Sequence, residues 1–248
     1  MMTIMRQIKI PKLTDPDLAY ETGVHIGDGS MQIILSKHDY RVTYWGSVEE
    51  FDYYDIILKN VLMKLYDLRN IAVKKVSAER TIYLRICSKQ LVFFKRGILG
   101  LPCGKKHIMK GLPEFVKTSK RLLKECISGL FDADGTLKFV RKRDKHDYPQ
   151  IRLDLANENL AKDINDQLKI LGFQTVFYFR NRFDSRNRKY YSLWSIDLNG
   201  RRMLERWMKE IGFRNNIHLT KYEIWKEYGF CSPKTTLQQR LKILDKSI

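Results

Sequence analysis

The sequence predicts an α+β fold made of two pseudo-symmetric halves, each of order α-β-β-α-β-β-α. Three observations carry this expectation: a short motif that occurs twice, strand-like segments after each copy, and helix-spaced apolar residues after those. Residues 22–30 read TGVHIGDGS and residues 128–136 read SGLFDADGT; Gly23, Asp28 and Gly29 match Gly129, Asp134 and Gly135 at a constant offset of 106. A chain of 248 residues is long enough for one core or two small ones.

The elements follow in order. Thr14-Asp15-Pro16-Asp17 offers a capping side chain, a proline for the first turn and a nearby acid, so a helix starts there and runs to Gly29, read as a left-handed stop. Segments 30–36 and 40–46 are β-rich. From Glu49 to Leu68, the apolar residues Phe51, Tyr54, Leu58, Val61, Leu62, Leu65 and Leu68 recur every three to four positions, which predicts a helix. A hairpin is expected near 73–87, with Ser77–Arg80 in its connection, then a helix closing at Leu99-Gly100. In the second half, 136–140 and 150–156 are strands, and Leu160, Ile164, Leu168 and Leu171 share a face of a helix over 158–171. A hairpin at 174–198 and a helix closing at Ile211-Gly212 complete it. Residues 104–118 contain the glycines and proline of a linker, which sets the halves at 1–117 and 118–248.

Composition narrows the partners. Hydrophobic residues make up 44% of the chain, enough for a folded core rather than disorder. Against 28 acids stand 46 Lys+Arg, a net charge of +18, and such self-repulsion points to a polyanion. A membrane surface calls for a basic amphipathic helix or an apolar span, and no run approaches about 18 apolar residues. No targeting segment is recognisable, which places the protein inside the cell, in the cytoplasm. Cys87, Cys103, Cys126 and Cys231 stand singly, so neither a disulfide framework nor a zinc finger is expected.

The repeated motif carries chemistry. Asp28 and Asp134 each stand at the end of a helix, where the dipole disfavours a carboxylate by roughly 0.3–1 kcal/mol. A matched pair in that position suggests a positive group nearby. Gly23 and Gly27, like Gly129 and Ala133, are four apart, giving each helix a stripe without bulk that lets two backbones approach closely. If the halves pack through these stripes, the two carboxylates converge and repel unless a divalent cation neutralises them. Oxygen-only donors favour Mg²⁺ over zinc, and carboxylate-held metal beside a phosphodiester suits in-line hydrolysis.

GLFDADG at 129–135 resembles the LAGLIDADG signature, and ETGVHIGDG at 21–29 is a looser copy. A chain with two copies is similar to the monomeric homing endonucleases encoded in introns or inteins. The resemblance, which spans about residues 14–244, implies that motif helices form the interface between the αββαββα halves. It implies Asp28 and Asp134 as catalytic metal-binding acids, with Gly27 and Ala133 in the metal site, Mg²⁺ as cofactor and a cut leaving short 3′ overhangs. A lysine per half is expected near the site; GKK at 104–106 and HLTKY at 218–222 supply Lys106 and Lys221, with Lys105 an alternative. PKTTLQQR at 233–240 resembles the family's C-terminal segment. Ile26 replaces the motif's earlier acid, which Asp132 keeps in the second copy. An intron-RNA-binding maturase of the same fold is the alternative function, and a DNA binder without catalysis leaves the paired acids unexplained.

A sheet in each half would read double-stranded DNA. In 150–155, Gln150, Arg152 and Asp154 alternate with Ile151, Leu153 and Leu155, so one face is polar and the other buried. Ser30, Gln32 and Ser36, then Arg41 and Thr43, then Lys74, Arg80, Tyr83 and Arg85 supply the corresponding face of the first half. Arg and Lys suit guanine; Gln and Asn suit adenine. Lys138, Arg141 and Arg143 in the second half's first hairpin, and Arg180, Arg182, Arg186 and Arg188 in its second, populate basic strands and tips suited to phosphate. His25 reads as a packing or interface residue, and His38, His107, His146 and His218 show no ligand spacing. Two motifs in one chain argue for a monomer.

Overall fold

The computed structural model describes residues 8–76, 79–142, 144–184 and 188–245. Ser77, Arg143 and Arg186 lie outside the described residues. Two compact units divide the chain, Met1–Ala133 and Asp134–Ile248.

The first unit opens with α1 (Pro16–Gly27), capped by the Asp15 side chain, which accepts from the Asp17 N–H at 2.9 Å. Next come β1 (Gly29–Ile34) and β2 (Asp39–Ser47). The expected helix after β2 is present but not regular. A capping box at Ser47 and Glu50 starts it, a wider π-type turn occupies Tyr53–Leu58, and α2 (Lys59–Tyr66) finishes it. The wide turn brings two consecutive tyrosines, Tyr53 and Tyr54, into the interior at 1% and 0% exposure; an ordinary helix would set them about 100° apart. β3 is only Lys74–Lys75 and pairs with β4 (Thr81–Cys87). α3 (Lys89–Phe93) continues into a second π-type turn ending at Ile98, and Gly100, the glycine expected to close this helix, follows in a left-handed conformation with φ +70°. The short α4 (Glu114–Lys117) leads into α5 (Lys120–Ala133).

The second unit holds β5 (Gly135–Lys142), β6 (Lys145–Leu155), α6 (Glu158–Ile170), β7 (Val176–Asp184), β8 (Lys189–Asn199), α7 (Arg201–Glu210), α8 (Asn216–Tyr228) and α9 (Leu237–Asp245). Gly212 ends α7 with φ +78°, matching Gly100. Both sheets are antiparallel and share one topology, β1-β2-β4-β3 and β5-β6-β8-β7, so the repeat read from the sequence is a repeat of structure. Alternation sets the register: Ile151, Leu153 and Leu155 are buried while Gln150, Arg152 and Asp154 take the other face. Chain order put the boundary in the linker at 117/118. The compact units part after Ala133, because α5, first helix of the second repeat, packs on α1.

That packing depends on glycine. A methyl group on Gly23 would lie 1.9 Å from the Cys126 carbonyl oxygen and 2.7 Å from the Leu130 nitrogen. One on Gly129 would lie 2.1 Å from the Tyr20 oxygen and 3.0 Å from the Val24 nitrogen. Cys126 and Leu130 are the offset-106 equivalents of Tyr20 and Val24, so the contacts repeat across a local two-fold. The two helices therefore meet backbone to backbone at their glycines, and α1 ends at Gly27 as α5 ends at Ala133. No helix among the described residues is long and apolar enough to cross a membrane.

Candidate metal centre and nucleic-acid interface

Asp28 closes α1 in a helical conformation, φ −88°, with its N–H donating to the Val24 carbonyl at 2.8 Å. The expectation that Gly29 stops the helix by a left-handed turn is corrected here. Gly29 begins β1 without a positive φ, and its role is room: a Cβ there would lie 2.5 Å from His25 Nδ1. Sequence reading could not separate these two uses of glycine, because both place it just after a helix.

A positive group does occupy the end of α1. Lys106 Nζ donates to the Ile26 carbonyl at 2.7 Å and to the Gly27 carbonyl, placing an ammonium at the negative end of the dipole. The Tyr54 hydroxyl lies 2.6 Å from the Trp45 carbonyl and 2.9 Å from Asp28 Oδ2, two acceptors that share its single proton. Asp134 follows α5 directly and is exposed; Asp28 is half-buried. In the second unit Lys221, on α8, donates to the Leu137 carbonyl of β5 at 3.0 Å. The two lysines are thus held differently, Lys106 on the motif helix and Lys221 on the strand after the motif. Lys105 is exposed.

The asymmetry at Ile26 has a packing reason. Asp132 is fully buried and accepts from the Tyr20 hydroxyl at 2.7 Å; Tyr20 in turn lies 2.9 Å from the Tyr53 hydroxyl. By the offset, the counterpart of the Tyr20–Asp132 pair is Cys126 with Ile26, both buried. One side of the helix pair is polar and the other side is not.

A buried network supports α1 from behind. Lys95 Nζ bonds both Glu21 oxygens, at 2.6 and 2.7 Å, and the hydroxyls of Tyr44 and Tyr66 also donate to Glu21. Burial pulls the Lys95 amine down while Glu21 opposes it. His25 is buried edge-on to Tyr44 at 5.7 Å. Burial, then Lys95 and Lys106, keep its pKa well below the usual 6.5, so it packs as a neutral ring. His218 is held down to about 3 by burial, Lys221 and Arg240, and its Nδ1 faces the Leu137 N–H at 3.5 Å. Arg240, in the C-terminal segment, anchors α9 to α8 through Thr220 at 2.9 Å.

Both sheets present the polar faces expected. In the first, register aligns Ser30 with Thr43, Gln32 with Arg41, Thr43 with Arg85 and Lys74 with Tyr83. Ser36 departs from this face, since it lies in the turn after β1. Arg41 is paired with Asp39, Arg85 Nε donates to Thr43 at 3.2 Å while its guanidinium covers Tyr83, and Arg80 reaches Glu49 at 3.1 Å. Trp45, unanticipated, is exposed on the same face beside Tyr83 at 5.3 Å.

The second face is more tightly wired. Arg152 grips Asp197 through two bonds of 2.6 and 2.7 Å and also reaches Tyr178 at 2.6 Å. Gln150 donates to Asp197 and Asn199, and Arg180 holds Asp154 and Ser195. Burial and the nearby Arg152 lower the Lys138 amine. Asp197 was missed in the sequence. The alternation of Ser195, Asp197 and Asn199 was its signal, but its partners lie some 45 residues upstream. Of the basic tips, Arg141, Arg182 and Arg188 are exposed, with Arg141 3.5 Å from Asp144.

Among the described residues no three His, Cys, Asp or Glu side chains gather as a metal-holding group. Asp28 and the neighbouring Gly27 carbonyl offer oxygen donors only. This all-oxygen donor set fits a hard divalent ion.

Comparison with known proteins places this geometry. Residues 115–222 match the family described as the LAGLIDADG-like domain. The structure of I-DmoI in complex with DNA and Mn aligns with a TM-score of 0.55 at 16% identity, covering 79% of this chain and 96% of that one. Mesophilic variants of the homing endonuclease I-DmoI align equally, at 16% identity over 81% and 97%. The K262A mutant of I-SmaMI aligns with a TM-score of 0.53 at 14% identity over 94% of this chain and 97% of that one. No curated protein matches. Residues 115–222 are thus similar to the LAGLIDADG-like domain, and the chain as a whole shares the fold of the I-DmoI structures.

Proposed function

We propose that this chain is a monomeric, site-specific endonuclease that hydrolyses double-stranded DNA with Mg²⁺, leaving short 3′ overhangs within a long asymmetric site. The observation that carries the reading is the glycine seam between α1 and α5, each helix followed at once by an acid, Asp28 and Asp134. A charge of +18 and two polar, arginine-bearing sheet faces supply a surface for the phosphate backbone and base edges. The I-DmoI structures in complex with DNA and Mn, and with DNA and Ca, lend support.

In this reading Asp28 and Asp134, with the carbonyls of Gly27 and Ala133, hold the cation. When bound, it supplies charge neutralisation at the scissile phosphate and acidifies water. Lys106 and Lys221 stabilise charge on the phosphate as the bond breaks. Arg152 and Arg180, already oriented by Asp197 and Asp154, meet base edges, while Arg141, Arg182 and Arg188 meet phosphates. Neither His25 nor His218, beside the lysines, serves as general base, since both are buried and held well below the usual imidazole pKa, which leaves them weakly basic.

The test is cleavage of DNA spanning the insertion sequence of the host element. Expected are cutting with Mg²⁺, binding without cutting with Ca²⁺, and loss of cutting with retained binding in Asp28→Asn and Asp134→Asn, scored on supercoiled plasmid. Intact DNA under Mg²⁺ alongside tight binding of intron RNA would instead establish the maturase.

A further inference from the structure

The π-type turn after β2 carries two consecutive buried tyrosines, and each reaches an acid of a motif helix. Tyr54 donates to Asp28, the acid that follows α1. Tyr53 reaches Asp132 through the Tyr20 hydroxyl. Inserted π turns of this kind concentrate at functional sites. Space for the Tyr54 ring is made by one residue of β2: a Cβ on Gly46 would lie 2.5 Å from Tyr54 Cε2 and 2.6 Å from Cζ. The phenol is therefore fixed on three sides, by the missing side chain at Gly46, by the Trp45 carbonyl at 2.6 Å and by Asp28.

We propose that Tyr54 is the positioning residue of Asp28, seated by Gly46, and that it holds the carboxylate in the orientation from which it takes a divalent cation. The assignment rests on the nuclease reading. A hydroxyl held beside one carboxylate oxygen restrains the group, and outer-shell hydrogen bonds of this kind commonly govern how well a ligand meets its metal. The device belongs to the first repeat. Gly29 pairs with Tyr44 as Gly135 pairs with Leu153, which sets Gly46 level with Leu155, and a buried leucine there fills the room the tyrosine ring uses.

Tyr54→Phe in the full chain removes one oxygen and keeps the ring. Calorimetric titration of Ca²⁺ into the protein–DNA complex should show binding weakened by about tenfold or more, and single-turnover cleavage in Mg²⁺ slowed to a similar extent. DNA affinity in chelator should stay within about twofold, because Tyr54 lies off the sheet face. Gly46→Ala, which keeps the Tyr54 hydroxyl in the chain but crowds it and its ring, should move both readouts the same way. Parent-like Ca²⁺ affinity and cleavage in a folded Tyr54→Phe protein overturns the assignment, and so does a Tyr54→Phe chain that loses its far-ultraviolet signal, which makes the residue a core element only. A parent protein that neither binds Ca²⁺ nor cuts DNA overturns the nuclease reading itself.

Discussion

Gly23→Ala tests the helix seam on which the site depends. The added methyl would lie 1.9 Å from the Cys126 carbonyl oxygen and 2.7 Å from the Leu130 nitrogen, both backbone atoms that no side-chain rotation can move away. An ordinary carbon–oxygen contact is about 3.5 Å, so α1 and α5 must part by more than 1 Å locally. Overpacking of this kind costs about 1–3 kcal/mol when side chains can yield, and here only backbones can, which sets the expectation at about 3 kcal/mol. At 2–4 °C per kcal/mol for a chain near this size, melting falls by roughly 6–12 °C. Gly97→Ala is the internal comparison, since a Cβ there meets nothing within 4 Å; its effect should stay within about 0.5 kcal/mol. Thermal unfolding followed by circular dichroism reads both. Equal melting of the two variants would refute the close approach of α1 and α5.

Lys95→Met strands the buried Glu21 carboxylate and should cost roughly 3–5 kcal/mol by denaturant titration, with the apolar double variant Glu21→Leu/Lys95→Met recovering part of the loss. His25 and His218 stay neutral in the folded chain but protonate near 6.5 once unfolded. Neither alters stability above that pH, and each removes about 1 kcal/mol per unit as pH falls from 6.5 toward the folded value, about 3 for His218; urea midpoints between pH 7 and pH 4 check this. Arg152→Ala should relax discrimination at one base pair by about 1–3 kcal/mol with little change in salt dependence, whereas Arg182→Ala should lower the slope of log affinity against log salt by about one, both read by binding titrations.

What the sequence discloses about this fold is periodic or local, and what it hides is paired at a distance. The constant offset between Gly23-Asp28-Gly29 and Gly129-Asp134-Gly135 announces two copies of one unit, and both sheets adopt the same strand order. Strict alternation in 150–155 fixes which face is polar, and Gly100 and Gly212 end their helices as expected. Gly29 misleads because a glycine after a helix signals a left-handed turn, while here it clears space for His25. Tyr54 reads as an apolar member of a helical face, and nothing local shows that its hydroxyl reaches back 26 residues to Asp28. The Glu21–Lys95 pair spans 74 residues and is likewise silent in sequence, since each partner alone looks like a solvated charge. Lys106 and Lys221 follow from the resemblance alone; their unequal anchoring, one on α1 and one on β5, follows from where each loop or helix docks.

The most direct test of the two-acid site is a crystal structure of the chain with target DNA and Mn²⁺, with the cation located by its anomalous scattering. The account predicts an anomalous peak with carboxylate oxygens of both Asp28 and Asp134 at about 2.1 Å, next to the scissile phosphate. Carboxylates standing more than roughly 10 Å apart, a span no single ion with such short bonds can bridge, would contradict it.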